Sequence, residues 1–246
     1  MKLPFYFHLI HLIIYWATNR SMKLFKFRSF EKVEFILDIV INERLYCAPH
    51  KDLNDPFEGI FSFIEWKGGG IVRNVVRPVV RPVVTDLSGN YPVKVFKSLA
   101  EVPSLGGNIR VCSLSKELTD IRMWTHYAAN HTGCVIEIDI EDEPRLFKVT
   151  YAPGLKKFAK RITGETQASE ILSFKTDHWA YEKEYRIITN EDYYQITGKI
   201  SAVYLGTRIQ DIHKQLIINN IKDKIPVYET KINLVKVDIR PSKRIK

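Results

Sequence analysis

Leu24-Phe25-Lys26-Phe27-Arg28 alternates apolar and polar side chains, the period of two that marks a half-buried strand. Ser29 follows in the position of a helix N-cap. Val33, Ile36, Leu37, Val40 and Ile41 then recur at spacings of three and four, which predicts an amphipathic helix ended by Asn42. Leu45 to Ala48 reads as a second short strand. Pro49 to Gly59 reads as a loop around Leu53-Asn54-Asp55-Pro56-Phe57-Glu58. Between Gly68 and Pro92 the texture changes: Gly68-Gly69-Gly70 precedes a Val-Val-Arg-Pro repeat. Pro78 and Pro82 there exclude a regular helix and a central strand. The expectation for 68–92 is an insertion presenting Arg73, Arg77 and Arg81.

Regular patterning resumes at Ile109 to Ser115, a strand. Thr119 can then cap a helix that runs to Asn130 and is closed by Gly133. Ile121, Trp124 and Ala128 share its apolar face, and Arg122, His126 and Asn130 lie opposite. Cys134 to Ile140 alternates as the next strand. Phe147–Tyr151, Tyr185–Thr189, Ala202–Leu205, Val227–Tyr228 and Leu234–Val237 read as further strands, and Ile209–Asn219 as a helix. The fold class expected is α/β of the mixed α+β kind, with a mixed, largely antiparallel central sheet flanked by helices. One domain spans 22–240, after an apolar extension at 1–21 and before a basic tail at 241–246.

The extension, Leu3 to Ala17, is shorter than the about 20 residues of a membrane span. His8, His11 and bulky aromatics make it a poor signal peptide. A true start at Met22 is the expectation and a weak anchor the alternative; no stable membrane span is expected.

Composition narrows the partners. The 246 residues are 45% hydrophobic and 26% charged, which excludes global disorder. The net charge of +9 favours anionic partners, whether phosphates, dinucleotides or nucleic acid. Part of that charge clusters at Lys156, Lys157, Lys160 and Arg161. Cys47, Cys112 and Cys134 match neither a zinc spacing nor a disulfide framework. They read as reduced core residues of a cytoplasmic protein, with no metal.

The segment Tyr181-Glu182-Lys183-Glu184-Tyr185-Arg186 carries the sharpest chemistry. If Glu182 starts a strand, Glu182, Glu184 and Arg186 share one face. Adjacent carboxylates repel, so the pair can divide acid/base and electrostatic roles. An exposed strand end with Glu–Arg pairing is the alternative. Elsewhere, Asn54, Asp55 and Glu58 sit in a turn rigidified by Pro56, where Asp55 either caps the turn or serves a site. His126, on the polar helix face, is a candidate base or phosphate ligand, and His131 a residue satisfying the helix C-terminus. Trp124, Tyr127 and Trp179 are either core aromatics or the lining of a base pocket.

A Glu-x-Glu run entering a strand, a strand bearing serines and an early strand ending in arginine together resemble the signature of ADP-ribosyltransferases of the Arg-Ser-Glu type. The resemblance implies that Arg28 holds a phosphate or ribose of NAD and that Ser113 or Ser115 orders the nicotinamide pocket. It implies Glu184 as the final glutamate and Glu182 as its companion; Arg186 and Tyr181 beside them are further candidates for nucleotide binding. Leu114 stands where that family has a threonine between its serines. A second resemblance covers roughly residues 24 to 205. Phe25-Lys26-Phe27-Arg28, the 53–58 loop, Val111-Cys112-Ser113-Leu114-Ser115, Trp124-Thr125-His126-Tyr127-Ala128 with His131-Thr132-Gly133, and Trp179 to Arg186 occur in the order of the bacterial domain of unknown function numbered 2971. That family carries no established activity.

Three functions are thus expected as alternatives. The first is NAD-dependent ADP-ribosyl transfer or NAD hydrolysis, with a protein or other acceptor, in a toxin or anti-phage setting. The second is a nucleic-acid-binding or RNA-acting protein, and the third a regulatory domain without chemistry.

Overall fold

The computed structural model describes residues 21–67, 91–101, 108–158 and 165–246. The apolar stretch Leu3 to Ala17, the arginines at 73, 77 and 81, and Lys160 with Arg161 lie outside these residues.

The chain opens with β1 (Ser21–Arg28), a 3-10 turn at Phe30–Lys32 and α1 (Val33–Asn42). Next come β2 (Arg44–Tyr46), β3 (Ala48–Pro49), β4 (Ile60–Lys67), β5 (Tyr91–Ser98), β6 (Arg110–Ser115) and α2 (Ile121–Tyr127). Then follow β7 (Cys134–Glu141), β8 (Leu146–Lys148), β9 (Thr150–Ala152), β10 (Lys156–Phe158), α3 (Glu165–Leu172) and β11 (Phe174–Thr176). A second 3-10 turn, Asp177–Glu182, leads into β12 (Glu184–Thr189), β13 (Tyr193–Gln195) and β14 (Lys199–Leu205). The chain closes with α4 (Asp211–Asn220), β15 (Val227–Asn233) and β16 (Asp238–Arg244).

The architecture is mixed α/β with a curled, mostly antiparallel sheet and few helices. The main sheet runs β16-β15-β14-β7-β1-β6-β12-β8, with β3 on β6, and only β14–β15 is parallel within it. Alternate residues of β1 feed two cores. Leu24 packs with Ile36, Ile39 and Val40 of α1 on one face, and Phe27 packs with Met123 and Trp124 of α2 on the other. Burying each large apolar side chain contributes about 1.5–3 kcal/mol. A third cluster joins Phe61 and Phe63 of β4 to Ile171 and Leu172 of α3.

Several expectations are corrected. Ile39, not Ile41, completes the buried face of α1, and Ile41 is 49% exposed. Ser29 caps the 3-10 turn by accepting from the Glu31 amide at 3.0 Å, one turn before the helix proper. Asp120, not Thr119, caps α2, accepting from the Arg122 amide at 2.8 Å; Met123 replaces Ile121 on its buried face. β7 does not alternate in burial, because both its faces are covered: Ile136, Ile138 and Ile140 join one core and Val135 the other. Glu137 is therefore buried, satisfied by the Lys23 ammonium at 2.5 Å and the Tyr204 hydroxyl at 2.6 Å. Leu234 to Val237 is the turn of the β15–β16 hairpin rather than a strand, and the basic tail belongs to β16. Tyr91 and Pro92, assigned to the insertion, begin β5.

Gly133 matters for a different reason than its position after α2 suggested. The left-handed residues there are Ala129, Asn130 and His131, whereas Gly133 has no positive φ. A Cβ on Gly133 would instead stand 2.1 Å from the Arg28 carbonyl oxygen. That oxygen is backbone and cannot move aside without shifting the end of β1. Gly133→Ala is expected to cost at least about 2 kcal/mol by overpacking, read from urea denaturation. A loss within 0.5 kcal/mol, the usual range for a neutral surface change, would contradict this packing.

Candidate functional site

The site arises where the sheet comes apart. β1 pairs with β7 along its whole length, from Ser21↔Glu141 to Arg28↔Cys134. It touches β6 only at Phe25↔Ser115. Beyond that point β6 takes β3 as its neighbour, with Ala48 opposite Val111. A cavity of about 410 Å³ opens in the split, within the usual range for small-ligand pockets. Lys26 spans the gap, its ammonium donating to the Ser113 carbonyl at 2.6 Å and reaching the Cys112 sulfur at 3.4 Å. Burial pushes the Lys26 ammonium below its ordinary pKa.

One end of the cavity brings Lys26, Arg28 and Lys32 beside Glu31 and Asp52, with Phe35 and Tyr46, whose rings stack at 4.7 Å. The Arg28 guanidinium lies 5.3 Å from the Phe35 ring centre. Its buried Nε has no hydrogen-bond partner among the described residues.

The other end holds a dense ionic cluster of Glu58, Glu182 and Glu184 around Lys175 and Arg186. The Lys175 ammonium stands 2.7 Å from Glu182, 3.1 Å from Glu184 and 3.3 Å from Glu58. The Arg186 fork donates to Glu184 through Nε at 2.7 Å and Nη2 at 3.0 Å, and to the Leu172 carbonyl at 2.6 Å. Arg186 also pairs with Glu58, and the Tyr127 hydroxyl donates to Glu182. Such charges survive burial only because each has partners.

The two neighbouring carboxylates are driven apart electrostatically. Burial pushes Glu184 up, but Arg186 and Lys175, with a hydrogen bond from Ser113, outweigh it and hold the group at about 2. Glu182 moves the other way: burial and the Glu184 charge raise it despite Lys175. Lys175 is itself held above its ordinary value, since Glu184 and Glu58 outweigh its desolvation. One carboxylate is thus fixed as an anion and the other is poised to take a proton, the division that acid/base work requires.

The route by which Glu182 arrives differs from the expected strand. Glu182 ends the 3-10 turn, and Lys183 follows at a left-handed φ of 45°, so β12 begins at Glu184. Ser115 anchors that turn by donating to the Glu182 carbonyl at 2.5 Å and accepting from the Glu117 amide at 2.9 Å.

Of the residues singled out from sequence, Arg28, Ser113, Ser115, His126, Glu182, Glu184, Arg186, Glu58 and Asn54 all line the cavity. Three do not. Trp124 is fully buried, its indole donating to the Leu118 carbonyl at 2.6 Å. Asp55 accepts from the Phe57 amide at 2.9 Å and so holds the turn that presents Glu58. Tyr181 turns outward under the Arg122 guanidinium, 4.0 Å from its ring centre. Arg186 lines the cavity but is 1% exposed with Nε, Nη1 and Nη2 engaged, so it clamps carboxylates and not a ligand. His131 is buried and stacked on Trp124; its backbone N–H, not its ring, serves the helix end by donating to the Trp124 carbonyl.

Sequence reasoning missed Lys175 and Lys26 and left Tyr127 among the aromatics. Lys175 sits in a three-residue strand of ordinary composition, and no local pattern distinguishes it from a surface lysine. The described residues contain no cluster of three or more side chains suited to a metal ion, and none of their helices is long and apolar enough to cross a membrane. Comparison with protein-family models, curated proteins and solved structures finds no match to the chain.

Proposed function

We propose that the cavity binds NAD and that the protein transfers its ADP-ribose to an acceptor or to water. The observation that carries this reading is convergence. The arginine ending β1, the serines of β6 and the Glu-x-Glu at the head of β12 stand on adjacent strands and face one cavity. This is the order that the Arg-Ser-Glu resemblance implies for an NAD site. The Lys26, Arg28 and Lys32 end suits a pyrophosphate, and Phe35 with Tyr46 offers flat apolar surface for a base.

The chemistry follows from the split between the carboxylates. As the nicotinamide–ribose bond breaks, nicotinamide leaves with the bonding electron pair and positive charge develops on the ribose, as in glycoside hydrolysis. Glu184, held ionised, stabilises that charge more in the transition state than in the ground state. An acceptor hydroxyl, amine or water gives its electron pair to the ribose carbon, and its proton passes to Glu182. Tyr127 and Lys175 hold Glu182 for that step.

The test is nicotinamide release from NAD by the full chain, alone and with bacterial protein, RNA or DNA added. Release is expected from the parent. Glu184→Gln should reduce it by roughly 10²–10³-fold, the usual cost of losing one transition-state electrostatic contact, with a melting curve confirming that the variant folds. Absence of release under every condition from folded parent protein would overturn the reading.

A further inference from the structure

The hairpin that ends the chain carries a surface the NAD reading does not use. Its turn exposes Leu234 at 86%, Val235 at 91% and Val237 at 68%, with Ile232 behind them at 51%. Asn233 orders this tip, its side-chain oxygen accepting from the Val235 amide at 3.1 Å and the Lys236 amide at 3.3 Å. Val237 sits at a φ of 53°, a left-handed conformation that a β-branched residue adopts at a cost and that Gly or Asn would relieve. Apolar side chains therefore stand at full exposure in a turn whose own stability would favour small or polar residues.

Cations surround the tip. Lys231 and Lys236 are exposed, with no carboxylate within ion-pair distance among the described residues. Arg240 stands opposite Lys231 across the hairpin, and among the described residues its ion-pair partner is its neighbour Asp238. Glu229, deeper in β15, is neutralised by Lys214. Pairing with a second copy along the β16 edge is disfavoured, because Pro241 and the exposed Lys243 and Arg244 blunt it.

We propose that this hairpin docks on an anionic phospholipid bilayer, its apolar tip entering the acyl boundary while the lysines meet lipid phosphates. The combination of an ordered apolar tip and a cationic collar matches that interface: apolar burial and attraction to anionic headgroups act together there. The geometry also orients the cavity. β15 pairs with Leu205 at Glu229, and Leu205 lies in line with Cys134 and Arg28. The tip thus projects from the end of the sheet where Arg28 closes β1, and docking holds that end toward the membrane.

The experiment places a reporter at the tip of the full chain by Val235→Trp. Vesicles of phosphatidylcholine alone are compared with vesicles of equal phosphatidylcholine and phosphatidylserine. On the anionic vesicles the difference emission between variant and parent should shift to the blue and be quenched by acyl-brominated lipid, with neither effect on the neutral ones. Co-sedimentation of a Leu234→Ser/Val235→Ser variant with anionic vesicles should fall on the order of a hundredfold, the loss of two buried apolar side chains at about tenfold each. Residues 3–17 are present in every protein compared, so binding through them leaves the reporter unmoved. An unmoved reporter on anionic vesicles, or unchanged sedimentation of the double variant, overturns the proposal. A tip that instead binds a protein gives that same result.

Discussion

Arg186→Met is expected to destabilise the protein by about 3–5 kcal/mol, the range for removing one partner of a buried ion pair, read as a fall in the urea midpoint at neutral pH. The guanidinium is 1% exposed and is the main partner of Glu184, a second partner of Glu58 and a donor to the Leu172 carbonyl. A methionine fills only the space of the apolar stem and leaves both carboxylates in the interior with Lys175 alone to neutralise them. Adding Glu184→Gln to the same protein should recover part of the loss, since the amide carries no charge to desolvate. The two sites couple directly, so their effects are not additive. If the single variant loses less than about 1 kcal/mol, within the range of an exposed pair, the cluster is wetter than its burial indicates and the electrostatic division of the carboxylates fails with it.

Lys175→Met should weaken the pH dependence that Glu184 sets and strengthen the opposing one of Glu182. In the parent, Glu184 is held at about 2 in the folded state against an ordinary 4.5. That depression stabilises the fold fully above the ordinary value, by about 3 kcal/mol, and is lost as pH falls from about 4.5 toward 2. Glu182, raised by burial, acts in the opposite and weaker sense, favouring the fold on the acid side. Without the Lys175 ammonium, which stands 2.7 Å from Glu182 and 3.1 Å from Glu184, the folded values of these two carboxylates rise. The variant is then expected to be weaker at neutral pH by about 3–5 kcal/mol and to regain stability as pH drops through the raised values. Urea denaturation at a series of pH values for both proteins measures the two slopes. Parallel slopes would mean that Lys175 is not the group holding the carboxylates ionised. Nicotinamide release by the same variant should also fall, because Glu182 and Glu184 would share protons instead of dividing roles.

The periodic parts of the chain were readable without coordinates. β1, α1, β6, β12, β14 and α4 follow apolar spacings, and their errors are of one kind: a single position shifted where tertiary neighbours decide burial. Ile41 and Ile121 lie on predicted apolar faces yet are exposed, since no described element covers them there. β4 and β5 pair over eight positions but flank a Gly- and Pro-rich tract whose composition reads as loop rather than strand. The single strand read over Phe147–Tyr151 is divided between β8 and β9, and β10 and β11 are too brief to show a period. Chemistry was legible where a motif is local, as in Glu182-x-Glu184-x-Arg186, and where a turn residue does its own work, as with Asp55.

By itself the sequence determined the mixed α/β class, the strands that carry Arg28, Ser113 and Glu184, and the pairing of two glutamates with a cation. Those features rest on short-range periodicity and on residue chemistry, which are properties of neighbours along the chain. Only the tertiary structure decided that β1 and β6 part company after Phe25↔Ser115, that Lys26 spans the opening and that Lys175 neutralises carboxylates from two distant segments. It also decided that Arg186 is consumed as a clamp and that Gly133 is required by the Arg28 carbonyl. The physical reason is the same in each case: strand order and desolvation depend on residues tens of positions apart. A buried charge is shaped by whichever groups the fold brings within a few ångströms of it.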